Sequence, residues 1–234
     1  MIERRPFSSL GHFRNQWLDT HHHFSFSSYH DPARDGFGRL LVWNDDTIAP
    51  GTGFDPHPHR DMEIITYVRA GAITHRDSLG NEGRTEAGDV QVMHAGTGIV
   101  HAEYNRDAGP CTLFQIWILP DQRGVKPGWQ ARVFPKSSEG TLEVFASGRM
   151  QDADKGALPL YADAALFAGT LKAGQKITQT LAADRAAYLV PARGSVLVNG
   201  VPAGARDGLA IVDEPTLEIV ADVEAELVIV EVGR

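Results

Sequence analysis

No stretch of this chain keeps its apolar residues at helical spacing for more than a turn or so. Short apolar or alternating runs recur instead between turn signals, and that pattern directs the chain to β-structure. Arg39-Leu40-Leu41-Val42-Trp43 stands before Asn44-Asp45-Asp46, and Ile64-Ile65-Thr66-Tyr67-Val68 before Gly71. Val90-Gln91-Val92-Met93 and Leu113-Phe114-Gln115-Ile116-Trp117-Ile118-Leu119 follow. β-Branched and aromatic side chains dominate these runs, as strands with a buried face require. Twenty-four glycines and thirteen prolines, spread rather than clustered, fit many short elements joined by tight turns. Only Asp152 to Ala157 offers a turn of helix, so the expected class is all-β.

The second half of the chain repeats the layout of the first. Tyr67-Val68-Arg69-Ala70-Gly71-Ala72-Ile73 resembles Leu189-Val190-Pro191-Ala192-Arg193-Gly194-Ser195-Val196 in its strand, glycine, strand order. Ala87-Gly88-Asp89-Val90 is echoed by Arg206-Asp207-Gly208-Leu209, and Ala49-Pro50-Gly51 by Lys172-Ala173-Gly174. The copies lie roughly 120 residues apart, too long and too few for a solenoid or propeller. Two fused β-barrel lobes are expected, residues 1–135 and 136–234. The connector is placed at Pro120 to Leu142, with a further loop at Ser147 to Pro159.

A formal net charge of −8 without any Lys/Arg run disfavours direct nucleic-acid binding. The single cysteine, Cys111, cannot form an internal disulfide, so a reducing compartment costs nothing. The first residues have no apolar signal core, and no window approaches the roughly eighteen apolar residues of a membrane span. A cytoplasmic protein is expected.

All ten histidines lie at or before position 101. A histidine needed for barrel packing should occur in both copies, whereas one needed for a metal can occur in one. Alternate residues of a strand share a face, so His57 and His59 of Asp55-Pro56-His57-Pro58-His59 point together. Pro56 and Pro58 suit an edge or rim. His101 and Glu103 form a second such pair, and two pairs on neighbouring strands can close a set of three nitrogens and one oxygen. Glu63, four residues after His59, is either an alternative carboxylate ligand or an acceptor that orients a ligand imidazole. His94 is a candidate donor behind the ligands. His21-His22-His23 alternate faces and cannot converge, while His12, His30 and His75 are expected at the surface or in hydrogen-bonded loops. In the second half, Ile177-Thr178-Gln179-Thr180-Leu181-Ala182 replaces the His-Pro-His segment, so that lobe is expected to be metal-free.

These residues carry a resemblance. Gly51-x5-His57-x-His59-x3-Glu63-x7-Gly71 resembles the first motif of the cupin superfamily, and Gly88-x5-His94-x-Gly96-x4-His101-x3-Asn105 resembles the second, with His94 where the general pattern has proline and the ligand delayed to His101. More specifically, the chain is similar to bacterial pirins. The stretches that carry this include Trp17-Leu18-Asp19, His23-Phe24-Ser25-Phe26, Asn44-Asp45-Asp46, His57-Pro58-His59-Arg60-Asp61-Met62-Glu63, Gly96-Thr97-Gly98-Ile99-Val100-His101-Ala102-Glu103-Tyr104-Asn105 and Gln115-Ile116-Trp117. The resemblance implies a bicupin, two double-stranded β-barrel (jelly-roll) lobes. It also implies His57, His59, His101 and Glu103 as ligands of one divalent transition metal, with Glu63 left behind them.

Such a nitrogen/oxygen set suits Fe, Mn, Ni, Cu or Zn, and ligand type does not choose among them. Bacterial pirins are associated with quercetin 2,3-dioxygenase activity, which splits a flavonol's central ring with dioxygen and releases carbon monoxide. The resemblance therefore implies a small aromatic flavonol and dioxygen as partners, with Glu103 as the base that accepts the 3-hydroxyl proton. A competing expectation is a metal-dependent binding or regulatory protein that contacts a protein partner. Arg185, Arg193 and Arg206 are candidates for the interface between the lobes.

Overall fold

The computed structural model describes residues 1–134 and 140–233. The first half runs through β1 (Ile2–Arg5), β2 (Gly11–Arg14), β3 (Leu18–His22), β4 (Leu40–Ile48), β5 (Gly53–His59) and β6 (Glu63–Ala70). It continues with β7 (Ala72–Asp77), β8 (Glu82–Glu86), β9 (Val90–His94), β10 (Ile99–Tyr104), β11 (Cys111–Ile118) and β12 (Gly128–Arg132). The second half adds β13 (Glu143–Ser147), β14 (Leu158–Pro159), β15 (Ala164–Leu171), β16 (Lys176–Thr180) and β17 (Arg185–Arg193). It closes with β18 (Val196–Val198), β19 (Val201–Ala203), β20 (Gly208–Ile211), β21 (Thr216–Ala221) and β22 (Ala225–Gly233). Among the described residues helix is confined to three short 3₁₀ segments, one of them Met150–Lys155 near the expected turn. None is long and apolar enough to cross a membrane.

Each half is a sandwich of a seven-stranded and a four-stranded sheet. In the first lobe the orders are β12-β9-β6-β11-β4-β3-β2 and β5-β10-β7-β8; in the second, β1-β20-β17-β22-β15-β13-β14 and β16-β21-β18-β19. The two small sheets correspond strand for strand, which is the long repeat made visible. Gly71 and Gly194 occupy matching hairpins between long strands, with φ of 71° and 76°. A Cβ there would meet backbone at 2.9 Å and 2.1 Å respectively, so both turns need glycine.

The seven-stranded sheets face one another and bury the largest core between the lobes. Trp43, Ile65, Phe114 and Ile116 from one sheet meet Leu166, Tyr188, Val228 and Val230 from the other. Period-two alternation then divides the central strands of these sheets between two cores. In β6, Ile65 and Tyr67 enter the interlobe core, while Ile64 and Val68 point into the first barrel. The second barrel is filled by Val196, Val198, Leu217, Ile219 and their neighbours, all apolar.

Three expectations need correction. Asn44-Asp45-Asp46 ends no strand: β4 continues to Ile48, and all three polar residues are buried. They are tolerated because each has a structural setting. Asp45 accepts from Arg69 and Arg206, Asn44 meets His22, and Asp46 lies in the barrel among polar neighbours. Ile2–Arg5, counted in the lobe 1–135, pairs instead with β20 and covers an edge of the second lobe's large sheet. The stretch Pro120 to Leu142 contains β12, which extends the first lobe's sheet beside β9. The expected boundary between residues 135 and 136 lies outside the described residues.

Candidate metal centre

The two i, i+2 pairs meet because β5 and β10 are antiparallel neighbours. His57 lies opposite His101, and Ile99 opposite His59, so three imidazoles share the inner face of the small sheet. A bulge between His101 and Glu103 shifts the register and sets Glu103 against Phe54. Close approach of the strands there depends on Gly53, where a Cβ would sit 2.1 Å from the Glu103 carbonyl oxygen. Strand β5, with its two prolines, is an edge strand.

Ligand atoms of His57, His59 and His101 all lie within 4.8 Å of one another. Their Nε2 atoms are the free ones. His57 donates from Nδ1 to the Asp55 carbonyl at 2.7 Å, which leaves an Nε2 lone pair. That Nε2 faces the Nε2 of His101 at 3.1 Å, and the His59 Nε2 is buried with no protein partner. Burial and neighbouring imidazoles hold His59 down at about 4 and His101 at about 2. Neutral rings with convergent, unsatisfied lone pairs fit a divalent transition metal; thiolates, the mark of structural zinc sites, are absent among these ligands.

Glu103 stands outside that three-imidazole group. Its Oε1 accepts from Gln91 at 2.6 Å and Thr66 at 3.2 Å, and its Oε2 from Gln115 at 2.8 Å. Burial lifts the carboxyl to about 7 even with these donors in place. Gln115 is the one donor recorded on Oε2, and Glu103 shares the strand face of His101.

Glu63 and His94 occupy the opposite face of the large sheet. His94 Nδ1 lies 2.6 Å from Glu63 Oε2, and the same oxygen accepts the Tyr161 amide of the second lobe at 3.1 Å. They belong to the interlobe seam and not to the barrel interior, so neither orients a ligand imidazole. Parity decides this: Glu63 is in step with Ile65 and Tyr67, not with Thr66. His75 is also corrected. It is fully buried on β7, stacked on Trp129 at 4.8 Å and 6°, and not in a loop. His12, by contrast, is exposed as expected.

His21, His22 and His23 do diverge: His22 meets Asn44 at 2.8 Å and His23 meets the Tyr188 hydroxyl at 2.9 Å. His21 gathers with His12 and Asp19 across the β2–β3 hairpin. The His12 and His21 rings are stacked at 15°, so their nitrogens lie in nearly parallel planes, and His12 Nε2 is already bonded to Asp19 at 2.9 Å. Of the three arginines, Arg206 bridges the lobes to Asp45, whereas Arg185 pairs with Asp163 and Arg193 with Glu224 inside the second lobe.

A cleft of about 450 Å³ reaches His57 and His59 and is lined also by Trp17, Phe26, Phe54, Trp117 and Gln115. Trp117 packs edge-on against His59 at 4.9 Å and donates to Gln115 at 3.1 Å. Sequence reasoning missed Trp17, Phe26, Phe54, Gln91 and Thr66; a polar Gln91 and Thr66 inside otherwise apolar strands is the signal that could have found the last two.

The family model described as Pirin matches residues 3–118, and one described as Quercetinase C-terminal cupin domain matches residues 145–232. A Pseudomonas aeruginosa protein provisionally named quercetin 2,3-dioxygenase is 61% identical over 100% of both chains. This chain belongs to the pirin family. Another member, named quercetin 2,3-dioxygenase, from Escherichia coli K12, is 41% identical over 98% of this chain and 97% of its own. The nickel(II) complex of the bacterial pirin YhhW from Escherichia coli superposes with a TM-score of 0.93, at 39% identity, covering 100% of this chain and 99% of that one. The chain is a bicupin whose second barrel is packed with apolar side chains.

Proposed function

We propose that this pirin is a metal-dependent dioxygenase that opens the central ring of a flavonol such as quercetin, consuming one dioxygen and releasing one carbon monoxide. The observation that carries the reading is the aromatic-walled cleft that reaches His57 and His59, two of three imidazoles whose ligand atoms converge. A planar polyphenol fits walls of Trp17, Phe26, Phe54 and Trp117 by stacking and edge contacts. The names of the relatives and the nickel(II) bound by a close structural neighbour support the same reading.

His57, His59, His101 and Glu103 would hold the ion. When bound, a divalent ion supplies a Lewis acid that eases loss of a flavonol hydroxyl proton. The protein's own part is to receive that proton and hold the ring. Glu103, lifted by burial to about 7 without the ion, is the base in this reading, and Gln91, Gln115 and Thr66 hold its carboxylate in place. The lobes divide the labour in this reading: residues 1–135, apart from the β1 strand that joins the second lobe's sheet, carry the chemistry, and 136–234 back the first lobe's large sheet as scaffold. A cytoplasmic setting suits a chain whose one thiol, Cys111, is buried and pushed up to about 12.

The test is oxygen uptake and carbon monoxide release with quercetin, under air and without it, after loading with nickel, manganese, iron, copper or zinc. Equal uptake and release with at least one metal is expected. Glu103→Gln should lower kcat by roughly 10²–10⁴-fold, the usual span of a general base. Full turnover by that variant would remove Glu103 from its role, and no uptake with any metal would favour a binding protein instead.

A further inference from the structure

We propose that Asp77 and His75 form a hydrogen-bond chain that fixes the tautomer of His101 and so presents its Nε2 to the metal; this rests on the three-imidazole reading above. Strand β10 lies between β5 and β7, and the β7 side of the register sets Asp77 opposite His101 and His75 opposite Glu103. All four side chains therefore point into the barrel.

The direction of the chain follows from donors and acceptors. Asp77 Oδ1 accepts the amides of Leu79 at 2.9 Å and Asn81 at 3.1 Å, and its Oδ2 accepts the Asn81 side-chain amide at 2.9 Å. So many donors fix Asp77 as a carboxylate. His75 Nε2, 2.9 Å from Oδ2, must then carry a proton and donate it. In the neutral ring this leaves His75 Nδ1 as an acceptor. The group it faces is His101 Nδ1, at 3.5 Å. His101 is thereby protonated on Nδ1, and its lone pair is on Nε2, the atom directed at His57 Nε2. His57 obtains the same tautomer more simply, from the Asp55 carbonyl.

Packing does not require a histidine at 75. The matching strand of the second barrel, β18, carries Val196 and Val198 in its core. In the first barrel His75 is clamped by Trp129, whose ring also presses on Gly83 so closely that a Cβ there would stand 2.2 Å away. A clamped ring with both nitrogens assigned is what a positioning residue needs.

The experiment measures nickel(II) affinity by chelator competition, and the exchangeable imidazole N–H signals of cobalt(II)-loaded protein by NMR. His75→Phe keeps the stack on Trp129 but removes the acceptor; it should weaken nickel binding about 10–100-fold and speed solvent exchange of one ligand N–H. His75→Asn, which returns an acceptor near the Nδ1 position, should recover part of both. Asp77→Asn can donate to His75 Nε2 and reverse its tautomer, so it should resemble His75→Phe, and it carries the test if His75→Phe does not fold. Nickel affinity within twofold of the parent in His75→Phe and Asp77→Asn, with the N–H signals unmoved, would overturn the chain while His101→Ala still abolished binding. If His101→Ala itself left nickel affinity intact, the metal site would be wrong and the chain with it.

Discussion

Glu63 and Glu103 both lie within four residues of a candidate ligand histidine, and the difference between them is one of parity along a strand. Glu103 is in step with His101 and faces the barrel; Glu63 is in step with Ile65 and Tyr67 and faces the other lobe. Glu63→Gln should therefore leave nickel stoichiometry unchanged. It weakens a buried bond to His94 and the grip on the Tyr161 amide, at a cost of about 1–3 kcal/mol. Metal analysis beside urea unfolding separates the two effects: a lost nickel with stability unchanged would return Glu63 to the centre. The histidine pairs were legible because i, i+2 spacing on a strand is a local rule. The place of Glu63 was not, since its proximity in sequence to His59 spans a turn that reverses the chain onto another sheet. His75 was equally hidden: a single histidine in a strand carries no motif, and its partners arise only from the register of β7 on β10.

Strands β5 and β10 are the element on which the site depends. Their bulge lets His57 and His59 stand opposite His101 and Ile99 while Glu103 moves on to Phe54. Gly53→Ala places a methyl 2.1 Å from the Glu103 carbonyl oxygen and 2.6 Å from the Tyr104 Cα, both backbone, so the strands must part. Nickel affinity should fall by more than tenfold and Tm should drop. Gly174→Ala is the control, because a Cβ there meets nothing within 4 Å and only its φ of +76° is strained. Affinity equal in both variants would mean that the bulge does not set the ligand geometry. Apolar runs located β6, β9 and β11 closely. Strand β4 was cut short because Asn44-Asp45-Asp46 has the composition of a turn, and only the ion pairs of Asp45 with Arg69 and Arg206 explain why it stays extended.

At the scale of the whole molecule, two barrels share one core, and the repeat in the sequence announced both barrels without announcing the seam. The seam is built from outward-facing strand residues of each lobe, and no local pattern tells an interlobe face from a solvent face when both are alternate positions. Buried polar groups of the barrel and the seam shape the response to acid. Burial holds His21 and His59 at about 4, His101 at about 2, and His23, bonded to Tyr188 at the seam, well below the usual imidazole range. Burial lifts Asp46 and Glu103 to about 7. The two sets oppose each other. Depressed imidazoles contribute stability that is present above the ordinary value of 6.5 and lost as pH falls below it, because the unfolded chain takes protons the folded one refuses. Raised carboxyls contribute stability that is present below their ordinary values of 3.8 and 4.5 and lost as pH rises through about 7. With His22 and His75 also held down by burial, six imidazoles outweigh two carboxyls between pH 6.5 and 4.5, so metal-free protein should become less stable as pH falls across that window. Nickel binds only the folded state and raises Tm at pH 7.5. Protons reaching Glu103 compete with the ion, so the Tm gap between loaded and metal-free protein should narrow toward pH 5. Thermal unfolding with and without nickel at pH 5, 6 and 7.5 reads both slopes. A metal-free Tm that climbs toward pH 5 would mean that Asp46 and Glu103 outweigh the buried histidines.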